Sequence, residues 1–207
     1  MNQENILKLI KLLLSPSSIL VFSLALLLVG RYILRLKYIN CFDLIKMHIL
    51  CFKKVNGKIS KIAIILYFGI PLLIAVAVMQ IRTIDDSAIN IITIIISILT
   101  SMFFTLLTLI LDMREKVKSN TQYNASEAAI SSKILKETYY SIMFEILVSI
   151  TILILCFIEL FAKTFNKIES FIIYYLTFVM LINLFMILKR IFRVIEVDYL
   201  FNRQKVY

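Results

Sequence analysis

The residues able to do chemistry in this chain are few, and most of them lie inside apolar runs. Glu145 and Glu159 share the stretch 139–161 with Ser141, Ser149 and Cys156. At 100° per residue the positions from Glu145 to Glu159 return to within about 40° of the starting direction, so both acids face one way on a helix. Glu159 lies near the end of its run, four residues before Lys163, at ion-pairing distance along a helix. Glu145 lies about a turn and a half inside the Tyr139 end and is the better candidate for a buried charge. Ionised groups in hydrocarbon are costly unless paired. Glu145 therefore reads first as a structural pair, with Arg114 or Lys116 of the preceding helix as partners, and second as a proton- or ion-handling carboxylate.

A second polar stripe precedes it. Thr93, Ser97, Ser101, Thr105, Thr108 and Asp112 recur every three or four residues and share one helix face. Small hydroxyl residues at this spacing allow close helix packing and can bond to their own i−4 carbonyls. Packing is the plain reading of the stripe, and a water-lined polar path the sharper one. Asn183, set among Leu181, Ile182, Leu184 and Phe185, needs a hydrogen-bond partner across a helix or subunit interface.

The other reactive groups exclude chemistry more than they suggest it. His48 is the one histidine, and Cys41, Cys51 and Cys156 form no CxxC pair. With 3 Gly, 3 Cys and 1 His, the chain cannot furnish a zinc module, a disulfide scaffold, a dinucleotide-binding fold or a phosphate loop. Neither a Ser/His/Asp set nor a Cys/His pair is present, so we expect no enzyme and no cofactor.

The elements that position these residues follow from apolarity. Of 207 residues, 61% are hydrophobic and 17% charged, with a mean hydropathy of +0.93. Soluble domains carry about 25% charge. The apolar residues fall in blocks of the roughly 20 residues that cross a bilayer as a helix. Spans are predicted at 59–80, 88–111, 139–161 and 170–188. A fifth, predicted at 17–36, ends in Arg31 and Arg35, which can snorkel to the headgroups. Residues 1–16 read as an interfacial amphipathic segment closed by Ser15 and Pro16. Gly69 and Pro71 predict a kink in the 59–80 span.

Charge sets the orientation. Of 23 Lys and Arg, only Lys8, Lys11, Arg82, Lys163 and Lys167 fall on one side, leaving 18 for the other, the expected cytoplasmic side. That side includes the basic connection 37–58, the loop and helix extension 112–138 and the tail 189–207. Within 37–58, residues 39–52 form an amphipathic pattern expected to lie along the inner leaflet. Asn124 with Glu127 resembles a capping box, so the helix ending near Phe161 should begin there and project about 15 Å below the bilayer. Its basic rim of Arg114, Lys116, Lys118, Lys133 and Lys136 offers a docking surface for an acidic soluble partner. Positive-inside bias and anionic lipids account for the net charge of +10, so direct nucleic-acid contact is not expected.

The predicted fold is an all-α integral membrane protein. It is a bundle of four to five transmembrane helices with an amphipathic N-terminal segment and one helix extended into the cytoplasm. Ser97, Ser101, Thr105, Thr108, Glu145 and Asn183 are expected to pack the membrane helices, and self-association is expected through Asn183 and the row Ser97, Ser101 and Thr105.

The order LLLSPSSIL, a hydroxyl-rich span running into LLTLILDMREK, then LKETYYSIMFEILVSI and YYLTFVMLINLFMILKRIFRVIE resembles, over most of the chain, the KwaA family. These are the membrane proteins of Kiwa anti-phage defence systems. The resemblance implies an oligomeric inner-membrane protein that senses phage attack or membrane disturbance and works with a cytosolic partner, KwaB, that acts on phage DNA. It fixes no sensing residue. An oligomeric pore lined by the hydroxyl stripe, and a small transporter subunit coupled through Glu145, remain as alternatives.

Overall fold

The computed structural model describes Phe22 and residues 41–53, 59–119, 125–161 and 167–204. The segments 1–16 and 17–36, apart from Phe22, lie outside the described residues, as do the expected cap Asn124 and Lys163. Contacts divide the chain into two units, Met1–Asp43 and Leu44–Tyr207. Nearly all described structure belongs to the second.

Among the described residues the fold is all-α, with one isolated antiparallel bridge between Lys53 and Ile59. Helix α1 (Phe42–Leu50) is followed by α2 (Lys61–Ile64), a π-helical turn (Ile65–Gly69) and α3 (Ile70–Ile81). Three long helices complete the chain: α4 (Asp86–Ser119), α5 (Ala125–Glu159) and α6 (Lys167–Gln204). Four segments are long and apolar enough to cross a membrane, at Lys61–Ile81, Asp86–Lys118, Ala129–Glu159 and Lys167–Arg193. The chain is a multi-pass membrane protein.

Local chemistry explains the ends of these elements. Ser60 caps α2 by accepting from the Ala63 N–H at 3.4 Å. Asp85 caps α4 by accepting from the Ala88 N–H at 2.9 Å and also pairs with Arg82. The Ala88 N–H, and secondarily Arg82, hold the Asp85 carboxyl below the usual carboxylate range. The irregularity predicted at Gly69 and Pro71 takes the form of the π turn. Pro71 has no N–H to give the ladder, and the Ile70 N–H reaches back five residues to the Ile65 carbonyl. Gly69 is not forced by space, since a Cβ there would meet Ile65 at an ordinary 3.5 Å.

The spans do not pack in chain order. Helix α3 packs on α6, α6 on α5, and α5 on α4. The middle pair carries the core: 50% of the apolar window of α5 and 44% of that of α6 are buried, against 17% in α4 and 11% in 61–81. Ile142 and Ile152 of α5 and Ile173, Met180 and Ile187 of α6 are fully buried. Three helices, not one, outrun the hydrocarbon. At 1.5 Å per residue α4, α5 and α6 are about 51, 52 and 57 Å long, against a core of about 30 Å. None of them contains a Gly or Pro to stop it.

Helix α1 also departs from expectation. It is a helix, but its His48 face is packed on protein and not on lipid. His48 is fully buried, stacked on Phe144 of α5 with ring centroids 4.0 Å apart and edge-on to Phe52 and Phe68. Four aromatic rings gathered at one point bury more apolar surface than a helix lying flat on headgroups can.

Candidate functional site: a polar seam between two helices

The seam runs along the α5/α6 contact. Thr138, Ser141, Glu145, Ser149, Cys156 and Glu159 lie on one face of α5 and are all buried. On α6 the buried polar positions are Ser170, Thr177 and Asn183, with Arg190 half-buried beyond them. Three rungs define an antiparallel register: Glu137 meets Arg190, Glu145 meets Asn183 and Glu159 meets Glu169. From Glu137 to Glu159 is about 33 Å of helix, close to the hydrocarbon thickness. The rungs therefore stand at both faces of the membrane and once inside it.

The hydroxyl groups along the seam satisfy themselves. Thr138 donates to the Ile134 carbonyl at 2.8 Å, Ser149 to Ile146 at 2.9 Å and Thr177 to Ile173 at 2.8 Å. A carboxyl or amide cannot fold back in this way. Glu145 and Asn183 are both fully buried and are side-chain partners across the seam, though their contact falls short of well-formed hydrogen-bond geometry. What faces Glu145 is Asn183, in place of the expected Arg114 or Lys116. Asn183 is thus turned into its own subunit, not toward a neighbour. Both Glu159 oxygens likewise lack a well-formed hydrogen bond among the described residues, and Glu169 stands beside them.

The basic end is tied by one guanidinium. Arg190 donates to Ser141 Oγ at 3.2 Å and to the Cys51 carbonyl at 3.2 Å, and lies 3.8 Å from the Glu137 carboxylate. Ser141 in turn donates to the Glu137 carbonyl at 3.0 Å. The C-terminal end of α1 is thereby fastened to α5 and α6 together. Cys51 donates to the Met47 carbonyl at 3.2 Å and to that of Glu137 at 3.6 Å. Burial raises its thiol pKa, against an opposing pull from Arg190, which favours the neutral thiol. Burial, then Arg190, holds the His48 imidazole down to about 3, which keeps the ring neutral inside its aromatic cage. Neither ring nitrogen has a hydrogen-bond partner among the described residues.

The hydroxyl stripe of α4 meets this seam at its first member, half-buried Thr93, which is a hydrogen-bond partner of Cys156, and then turns away from it. Ser97, Ser101, Thr105 and Thr108 are exposed on the side turned away from the bundle. Ser97 donates to the Thr93 carbonyl, Thr105 to Ser101 and Thr108 to Thr105. Of the basic residues expected to form a docking rim, Arg114, Lys116 and Lys118 sit at the end of α4 and Lys133 and Lys136 on the adjoining part of α5, with Arg114 half-buried and the other four exposed. Arg190, Ser141 and Glu137 were not among the expected site residues. Their signal was spacing: Arg190 lies seven residues after Asn183 and Ser141 four before Glu145, each on the same helix face as its neighbour. Among the described residues no group of His, Cys, Asp or Glu is placed to hold a metal ion.

No protein family, curated protein or solved structure matches this chain.

Proposed function

We propose that this chain is the membrane-embedded, self-associating scaffold and sensor subunit of a two-component anti-phage defence system in the bacterial inner membrane. In this reading it is a counterpart of the Kiwa membrane proteins it resembles in sequence, and it docks a cytosolic DNA-binding effector at its basic end. The observation that supports the reading most is the length of α4, α5 and α6. Unbroken helices that outrun the bilayer and carry Arg114, Lys116, Lys118, Lys133 and Lys136 at one end form a rigid cationic platform suited to an acidic protein surface. The outward hydroxyls of α4 supply a face for a second copy, since small polar residues favour close helix approach in lipid.

Co-purification tests the docking. Lys133→Glu with Lys136→Glu, and separately Arg114→Glu with Lys118→Glu, should each deplete the cytosolic partner in a salt-sensitive way while membrane insertion is retained. Wild-type recovery of the partner with both pairs reversed removes the basic rim as the docking surface. Nothing in this reading calls for a catalytic step or a cofactor.

A pore is the second reading, favoured by the exposed polar stripe on α4, which several copies could turn toward a common axis. Ion flux through liposomes holding the purified protein alone would favour it; tight liposomes would leave the scaffold. A transporter coupled through Glu145 is supported less, because that carboxyl is fully enclosed.

A further inference from the structure

At the basic end a cavity of about 170 Å³ opens between α1 and α5. It is lined by Met47, Leu50 and Cys51 from α1 and its end, and by Lys133, Lys136, Glu137 and Tyr140 from α5. At ~30 Å³ per liquid water, the space is too small for a whole lipid but holds a headgroup or the first part of a chain.

We propose that this cavity binds an anionic phospholipid of the adjoining leaflet, with the phosphate held between Lys133 and Lys136 and the start of an acyl chain laid on Met47, Leu50 and Tyr140. The charges favour an anion. Glu137 is the one acid among the lining residues, and its carboxylate is drawn to Arg190 at 3.8 Å, which leaves two exposed lysines facing the opening. The polar atoms of the floor are already engaged, because the Cys51 thiol donates to the Met47 and Glu137 carbonyls and its own carbonyl accepts from Arg190. The ligand therefore meets an apolar floor with a cationic rim.

Depth on the helix selects a lipid over a soluble anion. Tyr139 and Tyr140 stand where the apolar run of α5 begins, the level at which tyrosines anchor a membrane protein to the headgroups. Lys133 lies about 10 Å further along the helix axis than Tyr140, and Lys136 about 6 Å, so the rim spans the phosphate layer. Each lysine so placed adds to attraction for an anionic leaflet.

The test uses the purified full chain, without any partner, so its failure leaves the docking reading standing. In nanodiscs of phosphatidylcholine doped with phosphatidylglycerol, native mass spectrometry should show phosphatidylglycerol retained in preference to phosphatidylcholine. Lys133→Gln with Lys136→Gln should weaken retention roughly 30-fold, the loss expected from two lysine charges at an anionic surface. Leu50→Trp, which fills the cavity and leaves both lysines, should abolish it. Should Leu50→Trp disturb folding, the exposed lysine pair carries the test by itself. Equal retention of the two lipids overturns the proposal, as does wild-type retention in the lysine variant. Displacement of the lipid by inorganic phosphate or glycerol phosphate at equal concentration also overturns it, and would assign the lysines to a soluble phosphate.

Discussion

Helices α4 and α5 are of nearly equal length, pack on one another and carry similar stripes of Ser and Thr, yet one stripe faces out and the other in. On α5, Ser141 and Ser149 are enclosed against α6; on α4, Ser97, Ser101 and Thr105 are exposed. Hydroxyl groups on both helices bond to carbonyls of their own helix. A side chain that satisfies itself locally is tolerated in lipid or in the core, so its position says little about which way its helix is turned. The groups that cannot do so, Glu145, Asn183 and Arg190, are the ones that fix the rotation of α5 and α6. Helix α4 packs on α5 mainly through an apolar edge of Ile89, Ile96, Phe103 and Ile110.

If that distinction holds, the largest effect should come from Arg190. Arg190→Leu removes two charge-assisted hydrogen bonds and an ion pair from the end of the seam and should lower stability by about 3 kcal/mol in a denaturation series, at roughly 1.5 kcal/mol for each hydrogen bond. A loss no greater than that from Thr105→Val on α4 would erase the contrast between the two helices.

Next in size is a pH effect at the same end. Folded His48 stays neutral down to about 3, whereas the unfolded chain takes up a proton below its ordinary 6.5. Its folded pKa is the lower one, so stability is full above 6.5 and is lost as pH falls. About 2 kcal/mol should be gone by pH 5, at 1.36 kcal/mol per unit. His48→Phe fits the cage and should flatten that slope; a variant that keeps the wild-type slope would move the titrating group elsewhere.

Within the membrane, Asn183→Leu strands the Glu145 carboxyl and should cost about 1–3 kcal/mol, whereas Glu145→Leu added to it should recover most of the loss. Equal stability of all three proteins would mean that water reaches the pair. The smallest effect on stability belongs to α4. Ser97→Ile with Ser101→Ile should change it by under about 0.5 kcal/mol, as for other exposed positions. The same change should shift detergent-solubilised protein toward smaller species, which Asn183→Leu should not. An oligomer that persists in the α4 variant and dissociates in the Asn183 variant would reverse the assignment of inner and outer faces.

Four of the spans are legible in the sequence because a bilayer demands length and apolarity, and both are read directly from composition. The irregularity at Pro71 is legible because a missing N–H is a property of the residue itself. Helix rotation was harder to read. A soluble helix shows its buried face by contrast with a polar one, but here lipid-facing Ile94 and Phe104 are as apolar as buried Ile96 and Phe103. Glu145 could be singled out, since a carboxyl in hydrocarbon needs a reason, but its partner depended on which helices are neighbours. Chain order suggested α4; the packing puts α6 there. Arg190 was hidden among the basic residues that any cytoplasmic boundary collects. A lone histidine such as His48 suggests little until three phenylalanines close around it.

The unbroken course of α6 gives the molecule mechanical leverage. The helix continues from its membrane-spanning part to Gln204 without a joint, about 57 Å in all. Helices adjust to changes in bilayer thickness partly by tilting. On a rod of this length a tilt of about 10° carries the far end sideways by about 10 Å. The Arg190 tie lies on the same rod, so α1 is hitched to that swing. A small change in bilayer thickness thus becomes a displacement about as wide as a helix at the far end of α6.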